Sequence, residues 1–304
     1  MGCAPLEPGR VRALGRELAG RFAGTAFSLT PIPVSCACPV FRADSPDRPP
    51  MFVKLAAPDA AVRTLRFLRA AGAAGCPLLP RILLDEPFAF DGRSVVCLEW
   101  KSCHRVEIED MSEDEADSLL SGMVGFSKAL VSAPDVLPAD GEDAFDAEYD
   151  VVAGYARRHP LVSRFMSSLT GLPEAERAYG NRRLTAIHGD LHACNFGFAD
   201  GRLAAVFDFD AIRMGLPCED VAYAFTESIR RHGLPSAKRA HVHCLFRRVV
   251  RTSPWPADEW RIAVNHARLR IAANRIRKHP KSPLTAFDVA HRDREVRPLL
   301  EDLK

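Results

Sequence analysis

Residues 187–210 read IHGDLHACNFGFADGRLAAVFDFD, and this stretch decides how the rest of the chain is interpreted. Two short apolar runs flank Asp200-Gly201, a pair that suits a tight turn with positive φ. The pattern therefore predicts a loop that leads into a β-hairpin. In such a hairpin Asn195 and Asp208 lie near each other, and Asp190 on the preceding loop can face the same side.

The polar residues of this segment match the needs of phosphoryl transfer. That reaction requires a group that orients a hydroxyl nucleophile, and ligands for metal ions that neutralise nucleotide phosphates. Asp190 offers the first group, while Asn195 and Asp208 offer the hard oxygen atoms that magnesium prefers. The spacing of these three residues indicates a kinase-type reaction.

With these motifs the chain resembles the aminoglycoside phosphotransferase and choline kinase superfamily, small-molecule relatives of protein kinases. HGDLHACN at 188–195 is similar to its catalytic loop, VFDFD at 206–210 to its metal-binding strand, and GLPCEDVAYAF at 215–225 to the segment that follows. The resemblance implies ATP and Mg²⁺ as cofactors and a nucleotide bound in a cleft.

The resemblance also implies roles for single residues. Asp190 would be the catalytic base, and Asn195 and Asp208 would be the magnesium ligands. His188 and Asp220 would support the catalytic loop.

Two of the polar residues near the loop have other readings. Asp220 is also placed to cap the helix that follows it. His192 could reach a phosphate when protonated, although a loop histidine satisfied by its neighbours is an equal alternative.

The rest of the chain predicts an α+β fold with segregated elements. An amphipathic helix at 8–22 precedes a sheet-rich stretch that contains one helix, at 58–74, and from Met111 onward the pattern is helical. Strands are predicted at 26–34, 39–43, 51–56, 81–86 and 94–100. The resemblance makes this a two-lobed protein-kinase-like fold. Residues 1–100 would form the N-terminal nucleotide-binding lobe, an antiparallel β-sheet with one helix, and 101–304 the larger, mainly α-helical lobe for catalysis and substrate binding.

Several residues of the first lobe are candidates for nucleotide binding. Lys54 occupies the place of the strand lysine that contacts phosphates in the resembled family, although an isolated strand lysine is usually on the surface. Ser35 lies where a phosphate loop is expected. Glu99, Trp100 and Lys101 match the hinge that reads adenine, and the alternative for Trp100 is ordinary core packing.

One position departs from the family pattern. The helix that should supply a carboxylate partner for Lys54 carries Ala61 at the expected place. Asp59, Glu86 or Glu99 could take over, or the pair could be absent. This departure leaves a second hypothesis beside the active enzyme: a catalytically weak or inactive pseudokinase that serves as a nucleotide-binding or interaction module.

The acceptor is expected to be a small molecule with a hydroxyl group, of aminoglycoside, amino alcohol or sugar type. Acidic residues at 140–150 would suit a cationic acceptor, or they simply begin a solvated helix. The basic segment at 268–281 would suit an anionic acceptor instead. Neither segment mixes basic residues with exposed aromatics, so nucleic-acid binding is not expected.

Composition narrows the class of protein further. The chain has 304 residues, a net charge of +2 and nine scattered cysteines, and Cys36-x-Cys38 lacks the second pair that a zinc site needs. A reduced, cytoplasmic protein is expected, and no apolar run has the length of a membrane span. Gly189-Asp190-Leu191-His192 is also found in metallophosphoesterases, but their Gly-Asn-His and upstream Asp-x-His elements are missing.

Overall fold

A computed structural model describes residues 6–32, 38–131, 144–169, 184–231, 233–278, 295–296, 298–301 and 303. The chain divides into two compact units, Met1–Ser102 and Cys103–Lys304. The first unit is built on an antiparallel sheet and the second is mainly helical, so the predicted α+β class is confirmed. No helix in these ranges is long and apolar enough to cross a membrane.

The described residues of the first unit form two helices and five strands, which in chain order are α1 (Pro8–Arg21), β1 (Ser28–Pro31), β2 (Val40–Ser45), β3 (Arg48–Ala56), α2 (Pro58–Ala73), β4 (Phe88–Phe90) and β5 (Arg93–Glu99). The strands form one antiparallel sheet in the order β1-β2-β3-β5-β4. Both helices begin with a proline, whose missing N–H costs nothing in the first turn.

The register of β3 and β5 decides which side chains share a face of this sheet. Val53 pairs with Cys97, and both are buried against α1 in one core. Because side chains alternate along a strand, Lys54 and its partner Val96 project from the opposite face. Glu99 pairs with Met51 and lies on the α1 side.

The prediction of a regular strand at 81–86 is wrong. Residues 81–83 do run beside β5, because Leu83 N–H donates to Cys97 and Glu99 N–H donates to the carbonyl of Arg81. Only Ile82 forms a bridge, however, and the chain then bends before Pro87. The regular partner at this edge of β5 is β4, joined to it by a turn at Asp91-Gly92.

In its described residues up to Lys278, the second unit contains six α-helices and four short strands. They are, in chain order, α3 (Glu113–Val131), α4 (Ala144–Ala156), α5 (Pro160–Ser168), β6 (Thr185–Ile187), β7 (Phe196–Ala199), β8 (Arg202–Val206), β9 (Arg213–Gly215), α6 (Glu219–Ile229), α7 (Ser236–Thr252) and α8 (Ala257–Lys278). Strand β6 pairs with β9 and β7 with β8, both antiparallel. Single turns of 3-10 helix lie at Ile108–Asp110 and Phe209–Ala211.

Helix α8 is the central helix of this unit and contacts both α4 and α6. Its buried side chains include four polar ones, Asn265, His266, Arg268 and Arg270. Buried charges require partners to offset their lost hydration. The basic character of this helix is therefore partly directed inward, toward ion pairs, and not toward solvent.

Candidate active site

The catalytic-loop segment begins with a sharp turn at Gly189. This residue has φ +77, a conformation that L-residues with a side chain rarely adopt, and a Cβ there would overlap the carbonyl oxygen of Ala211. Glycine is therefore required on both grounds. The turn directs the chain away from β6 and into the loop that carries Asp190.

Asp220 holds the start of this loop in place. Its carboxylate accepts the backbone N–H of His188 at 2.7 Å and that of Gly189 at 2.8 Å, and its side chain is buried. The helix N-cap is Cys218, so the alternative reading of Asp220 as the N-cap residue is wrong. Its position in the first turn of α6 still places a negative charge where the helix dipole favours it.

The imidazole of His188 joins the loop to the end of β8. The ring is fully buried, and its Nε2 lies 2.6 Å from the carbonyl oxygen of Phe207, which can only accept a hydrogen bond. Nδ1 accepts the backbone N–H of Asp190 at 3.2 Å. Together the two contacts require the Nε2–H tautomer, and they fix Asp190 relative to the hairpin.

The predicted hairpin is confirmed. Strands β7 and β8 pair from Phe196–Val206 onward, and Asp200 and Gly201 both have positive φ in the turn. Asn195 and Asp208 therefore flank the open end of the hairpin, where the backbone N–H of Phe207 donates to the carbonyl of Asn195 at 2.8 Å.

The side chain of Asn195 is held in one orientation. Its Nδ2 donates to the carbonyl oxygen of Asp190 at 2.8 Å and also lies 3.3 Å from Nε2 of His192. Because the amide nitrogen is used inside the loop, the amide oxygen is the atom that can bind a cation.

Asp208 has a left-handed backbone, with φ 62 and ψ 66. Aspartate and asparagine tolerate this region better than other residues with a side chain, at a cost of about 1 kcal/mol. Asp208 follows Phe207 after the end of β8 and lies at the same end of the hairpin as Asn195.

Three side chains surround the carboxylate of Asp190, which is 34% exposed. Oδ2 lies 3.8 Å from Nε2 of His192, Oδ1 lies 3.9 Å from Nη2 of Arg270, and Tyr223 is close enough for its hydroxyl and the carboxylate to act on each other electrostatically. Tyr223 and Arg270 come from α6 and α8, and the sequence did not single them out as site residues.

The histidine beside Asp190 favours its neutral form. Burial lowers the pKa of His192 below its ordinary value, and the negative charge of Asp190 only partly opposes this effect. Its Nδ1 accepts the backbone N–H of Cys194 at 3.2 Å. A phosphate contact that depends on a protonated ring is therefore not favoured, and the contacts match those of a loop histidine.

This loop and hairpin agree with a known protein family. The sequence profile of the phosphotransferase enzyme family matches residues 28–270. The chain belongs to this family. It is accordingly a small-molecule kinase, and no individually curated protein is significantly similar to it in sequence.

Solved structures with the same fold cover nearly the whole phosphotransferase. An aminoglycoside phosphotransferase from Alicyclobacillus acidocaldarius has 15% identity and a TM-score of 0.62, with 99% of this chain and 96% of that chain covered. A macrolide 2′-phosphotransferase from Brachybacterium faecium has 18% identity and a TM-score of 0.58, covering 96% and 98%. A thermostable variant of the aminoglycoside phosphotransferase APH(4)-Ia, in a ternary complex with AMP-PNP and hygromycin B, has 14% identity and a TM-score of 0.60, covering 95% and 98%.

Behind Asp190 the phosphotransferase contains a set of buried charged residues, called the buried ion cluster below: Glu148, Arg213, Glu219, His266 and Arg270. His266 is the centre of this set, with Nε2 3.2 Å from Glu148 and Nδ1 2.9 Å from Glu219. Nδ1 thus faces one carboxylate, whereas Nε2 lies between the Glu148 carboxylate and Nη1 of Arg213, which is 3.3 Å away. Burial alone lowers the pKa of His266, but the carboxylate of Glu219, together with that of Glu148, outweighs burial and raises it.

The acidic and basic segments of the sequence meet in this cluster. Glu148 belongs to the acidic stretch at 140–150 and is buried, so it is not part of a solvated helix face. Arg270 belongs to the basic segment at 268–281, and its Nε lies 3.5 Å from Glu148. Residues 140–143 and 279–281 lie outside the described part of the chain.

The candidate nucleotide-binding residues of the first unit differ in their exposure and in their contacts. Lys54 is buried, with 6% exposure, whereas Ser35 lies outside the described residues. Lys101 pairs with Glu99 at 3.3 Å. Trp100 is half-buried, with the guanidinium of Arg42 5.0 Å from the centre of its ring, so it is not a fully buried core residue.

The sheet register also limits the partners of Lys54. Glu99 is excluded, because it projects from the α1 face and its carboxylate binds Arg81 and Lys101. These contacts outweigh the effect of burial and lower the pKa of Glu99. Ala61 is buried in α2, as an uncharged residue at the expected carboxylate position.

Proposed function

We propose that this phosphotransferase transfers the γ-phosphoryl group of ATP to a hydroxyl group of a small molecule, with Mg²⁺ as the metal ion. The observation that carries the proposal is the grouping of Asp190, Asn195 and Asp208 around one rigid loop and hairpin. Support comes from the family and from the ternary complex of an enzyme of the same fold with AMP-PNP and hygromycin B. A cytoplasmic location is part of the proposal.

The donor atoms at the hairpin fit a magnesium ion that the nucleotide helps to hold. Asn195 and Asp208 offer an amide oxygen and a carboxylate, which are ligands that Mg²⁺ prefers. No group of three His, Cys, Asp or Glu side chains that could hold a metal occurs in the described residues. Phosphate oxygens would therefore complete the coordination, and the bound ion would neutralise charge on the transferring group.

Asp190 would act on the acceptor. Phosphoryl transfer involves little covalent chemistry for the protein to perform, so catalysis depends on positioning and on stabilising charge. The Asp190 carboxylate would accept the proton of the acceptor's hydroxyl and align its oxygen with the γ-phosphorus. The backbone contacts of His188 and Asp220 would hold that carboxylate in place.

The remaining nucleotide contacts are proposals that rest on the resemblance to the family. Lys54 would bind the phosphates, and Ser35 would lie in the loop that covers them. The backbone at Glu99, Trp100 and Lys101 would read the adenine ring. The uncharged Ala61 leads us to expect slow turnover compared with an enzyme that has a carboxylate there, and not loss of the reaction.

The acceptor side of the site is acidic. Glu227 lies one turn after Tyr223 on α6, is partly buried, and is close enough to act electrostatically on both Tyr223 and His192. Together with Asp190 it favours an acceptor that carries amino groups beside its hydroxyl. Aminoglycosides and amino alcohols fit this chemistry better than neutral sugars.

The proposal is tested by ADP release from ATP with and without Mg²⁺, in the presence of aminoglycosides, macrolides, amino alcohols and sugars one at a time. We expect turnover that requires Mg²⁺ and that is lost in Asp190→Asn. Asp200→Asn in the hairpin turn is the matched control and should retain the rate. Full activity in Asp190→Asn would overturn the proposal, and tight AMP-PNP binding without turnover on any acceptor would favour the pseudokinase.

A further inference from the structure

Arg270 is a residue of the second unit that has no role in the mechanism proposed for Asp190, Asn195 and Asp208. Its guanidinium approaches Asp190 from α8, with Nη2 3.9 Å from Oδ1, and its side chain is only 8% exposed. On its other side Nε lies 3.5 Å from Glu148, and the guanidinium carbon lies 5.0 Å from the centre of the Tyr223 ring. The residue thus connects the buried ion cluster to the catalytic loop.

We propose that Arg270 is a positioning residue that fixes the orientation of the Asp190 carboxylate, so that Oδ1 faces Arg270 and Oδ2 receives the hydroxyl of the acceptor. This inference rests on the proposed function, in which Asp190 orients the acceptor. It assigns separate tasks to the two oxygens of one carboxylate.

The two sides of the carboxylate differ in exposure. At 3.9 Å the contact with Arg270 is an ion pair and not a hydrogen bond, but a guanidinium is always charged and attraction is strong where water is scarce. The side chain of Arg270 on the Oδ1 side is 8% exposed, whereas that of His192 on the Oδ2 side is 29% exposed. Oδ2 therefore lies on the more open side of the carboxylate.

The surroundings of Arg270 make it rigid enough for this task. A long side chain normally loses rotamer freedom when it forms one contact. Here Glu148 and the ring of Tyr223 hold the guanidinium from two sides. Catalytic side chains held by neighbours that are themselves fixed keep a productive geometry.

The charges of the buried ion cluster agree with this orientation. The cluster contains two arginines, Arg213 and Arg270, one histidine, His266, and two carboxylates, Glu148 and Glu219. His266 and Arg213 already share Glu219, at 2.9 and 3.1 Å. Arg270 is the cationic member nearest to Asp190, and its positive charge is directed at Oδ1.

The test compares Arg270→Gln and Arg270→Lys with Arg268→Gln. Arg268 is the matched control, because it is a buried arginine on the same helix that binds Asn265 and Ser168 instead of Asp190. The measurements are the steady-state rate of Mg²⁺-dependent ADP release with water as the acceptor, the KM for ATP, the Kd of AMP-PNP and the melting temperature.

We expect Arg270→Gln to lower kcat about tenfold to a hundredfold, as misplacement of a catalytic group does, with KM for ATP and Kd for AMP-PNP unchanged. Arg270→Lys should recover part of kcat, because the charge remains. Arg268→Gln should retain kcat even if its melting temperature falls as far as that of Arg270→Gln.

Two outcomes would overturn the inference. One is full kcat in Arg270→Gln while Asp190→Asn is inactive, which leaves the proposed function intact. The other is an equal loss of kcat in Arg270→Gln and Arg268→Gln together with weaker AMP-PNP binding, since that pattern reports damaged packing. Full activity in Asp190→Asn, in contrast, would refute the proposed function itself.

Discussion

Asp220 accepts a hydrogen bond from the backbone N–H of Gly189 at 2.8 Å, although 31 residues separate the two along the chain. The second oxygen of the same carboxylate accepts the N–H of His188 at 2.7 Å. Two buried amide donors of the catalytic loop thus depend on one side chain of α6. The catalytic loop and α6 are thus joined directly by these two hydrogen bonds.

Asp220→Asn should therefore destabilise the fold and slow turnover. An amide group has one acceptor oxygen, so one of the two backbone N–H groups would face an NH₂ group in a buried site. Such an unpaired donor costs about 1–3 kcal/mol. Urea unfolding measures the loss, and Asp200→Asn on the exposed hairpin turn is expected to leave the free energy of unfolding unchanged. Equal stability of the two variants would contradict the role of Asp220.

Gly189→Ala and Gly201→Ala separate backbone strain from steric overlap. Both glycines have similar positive φ, +77 and +71, but a Cβ at position 201 meets nothing within 4 Å. Gly201→Ala should cost about 1–2 kcal/mol, the strain of alanine in this region. Gly189→Ala should cost clearly more and abolish ADP release, because its methyl group would overlap the carbonyl of Ala211. Thermal unfolding of the two variants side by side provides the comparison.

Asp208→Asn should weaken the binding of Mg²⁺ without disturbing the backbone. Asparagine tolerates the left-handed conformation of this residue as well as aspartate does, so the change removes mainly the charge. The Mg²⁺ concentration that gives half-maximal ADP release should rise about tenfold or more, as for other losses at metal sites. An unchanged Mg²⁺ requirement, with the melting temperature retained, would argue against a metal ligand at this position.

Tyr223→Phe should lower kcat and leave the binding of ATP unchanged. Burial and then the charge of Asp190 raise the pKa of Tyr223, so its hydroxyl stays protonated and is available to donate to the carboxylate. A hydrogen bond from this hydroxyl to the charged group during turnover would contribute about 1.5–3 kcal/mol, so a tenfold or larger loss of kcat is expected. Tyr155→Phe on α4, whose ring stacks on His159, is the control. Full kcat in Tyr223→Phe would show that the hydroxyl is dispensable.

Stability should depend on pH through the buried ion cluster. The pKa of His266 is raised above its ordinary value of 6.5, by Glu219 and Glu148 against the opposing effects of burial and Arg213. Its stabilisation is thus fully present below pH 6.5 and is lost as pH rises through the folded pKa. Burial acts to raise the pKa of Glu148, but His266, Arg213 and Arg270 outweigh burial and lower this pKa below its ordinary value of 4.5. The stabilisation that Glu148 contributes is therefore lost as the pH falls through the lowered pKa.

The measurement is the free energy of unfolding in urea across this pH range. The native protein should lose stability as the pH rises above 6.5, whereas His266→Gln should be less stable overall and should show a smaller decline. If the free energies of unfolding of the two proteins changed with pH in parallel, His266 would not titrate as its surroundings indicate.

Local signals explain the part of the site that the sequence could predict. The turn at Asp200-Gly201 and the apolar runs beside it are contiguous, so the hairpin follows from neighbouring residues alone. The positions of Asn195 and Asp208 at its open end follow from the pairing. The sheet of the first unit was predictable for the same reason, except at 81–86, where the chain forms a single bridge to β5 and β4 takes the rest of that edge.

Long-range contacts explain what the sequence could not predict. Tyr223 and Arg270 reach Asp190 from two different helices, and periodicity does not tell which helix faces meet. Glu148 looked like a member of an exposed acidic stretch, and only the packing of α4 on α8 shows that it is buried. In each case the deciding fact is a contact between elements far apart in the chain.

The buried ion cluster also limits how this enzyme can acquire new acceptors. A single substitution at Glu219 or His266 leaves an opposite charge stranded away from water, at a cost of about 3–5 kcal/mol, which is much of the stability of a typical domain. Variants in which only some residues of the cluster have been replaced would be poorly folded, so these residues can be exchanged only together. Laboratory evolution toward other acceptors should therefore accumulate changes around Glu227 and retain the cluster unaltered.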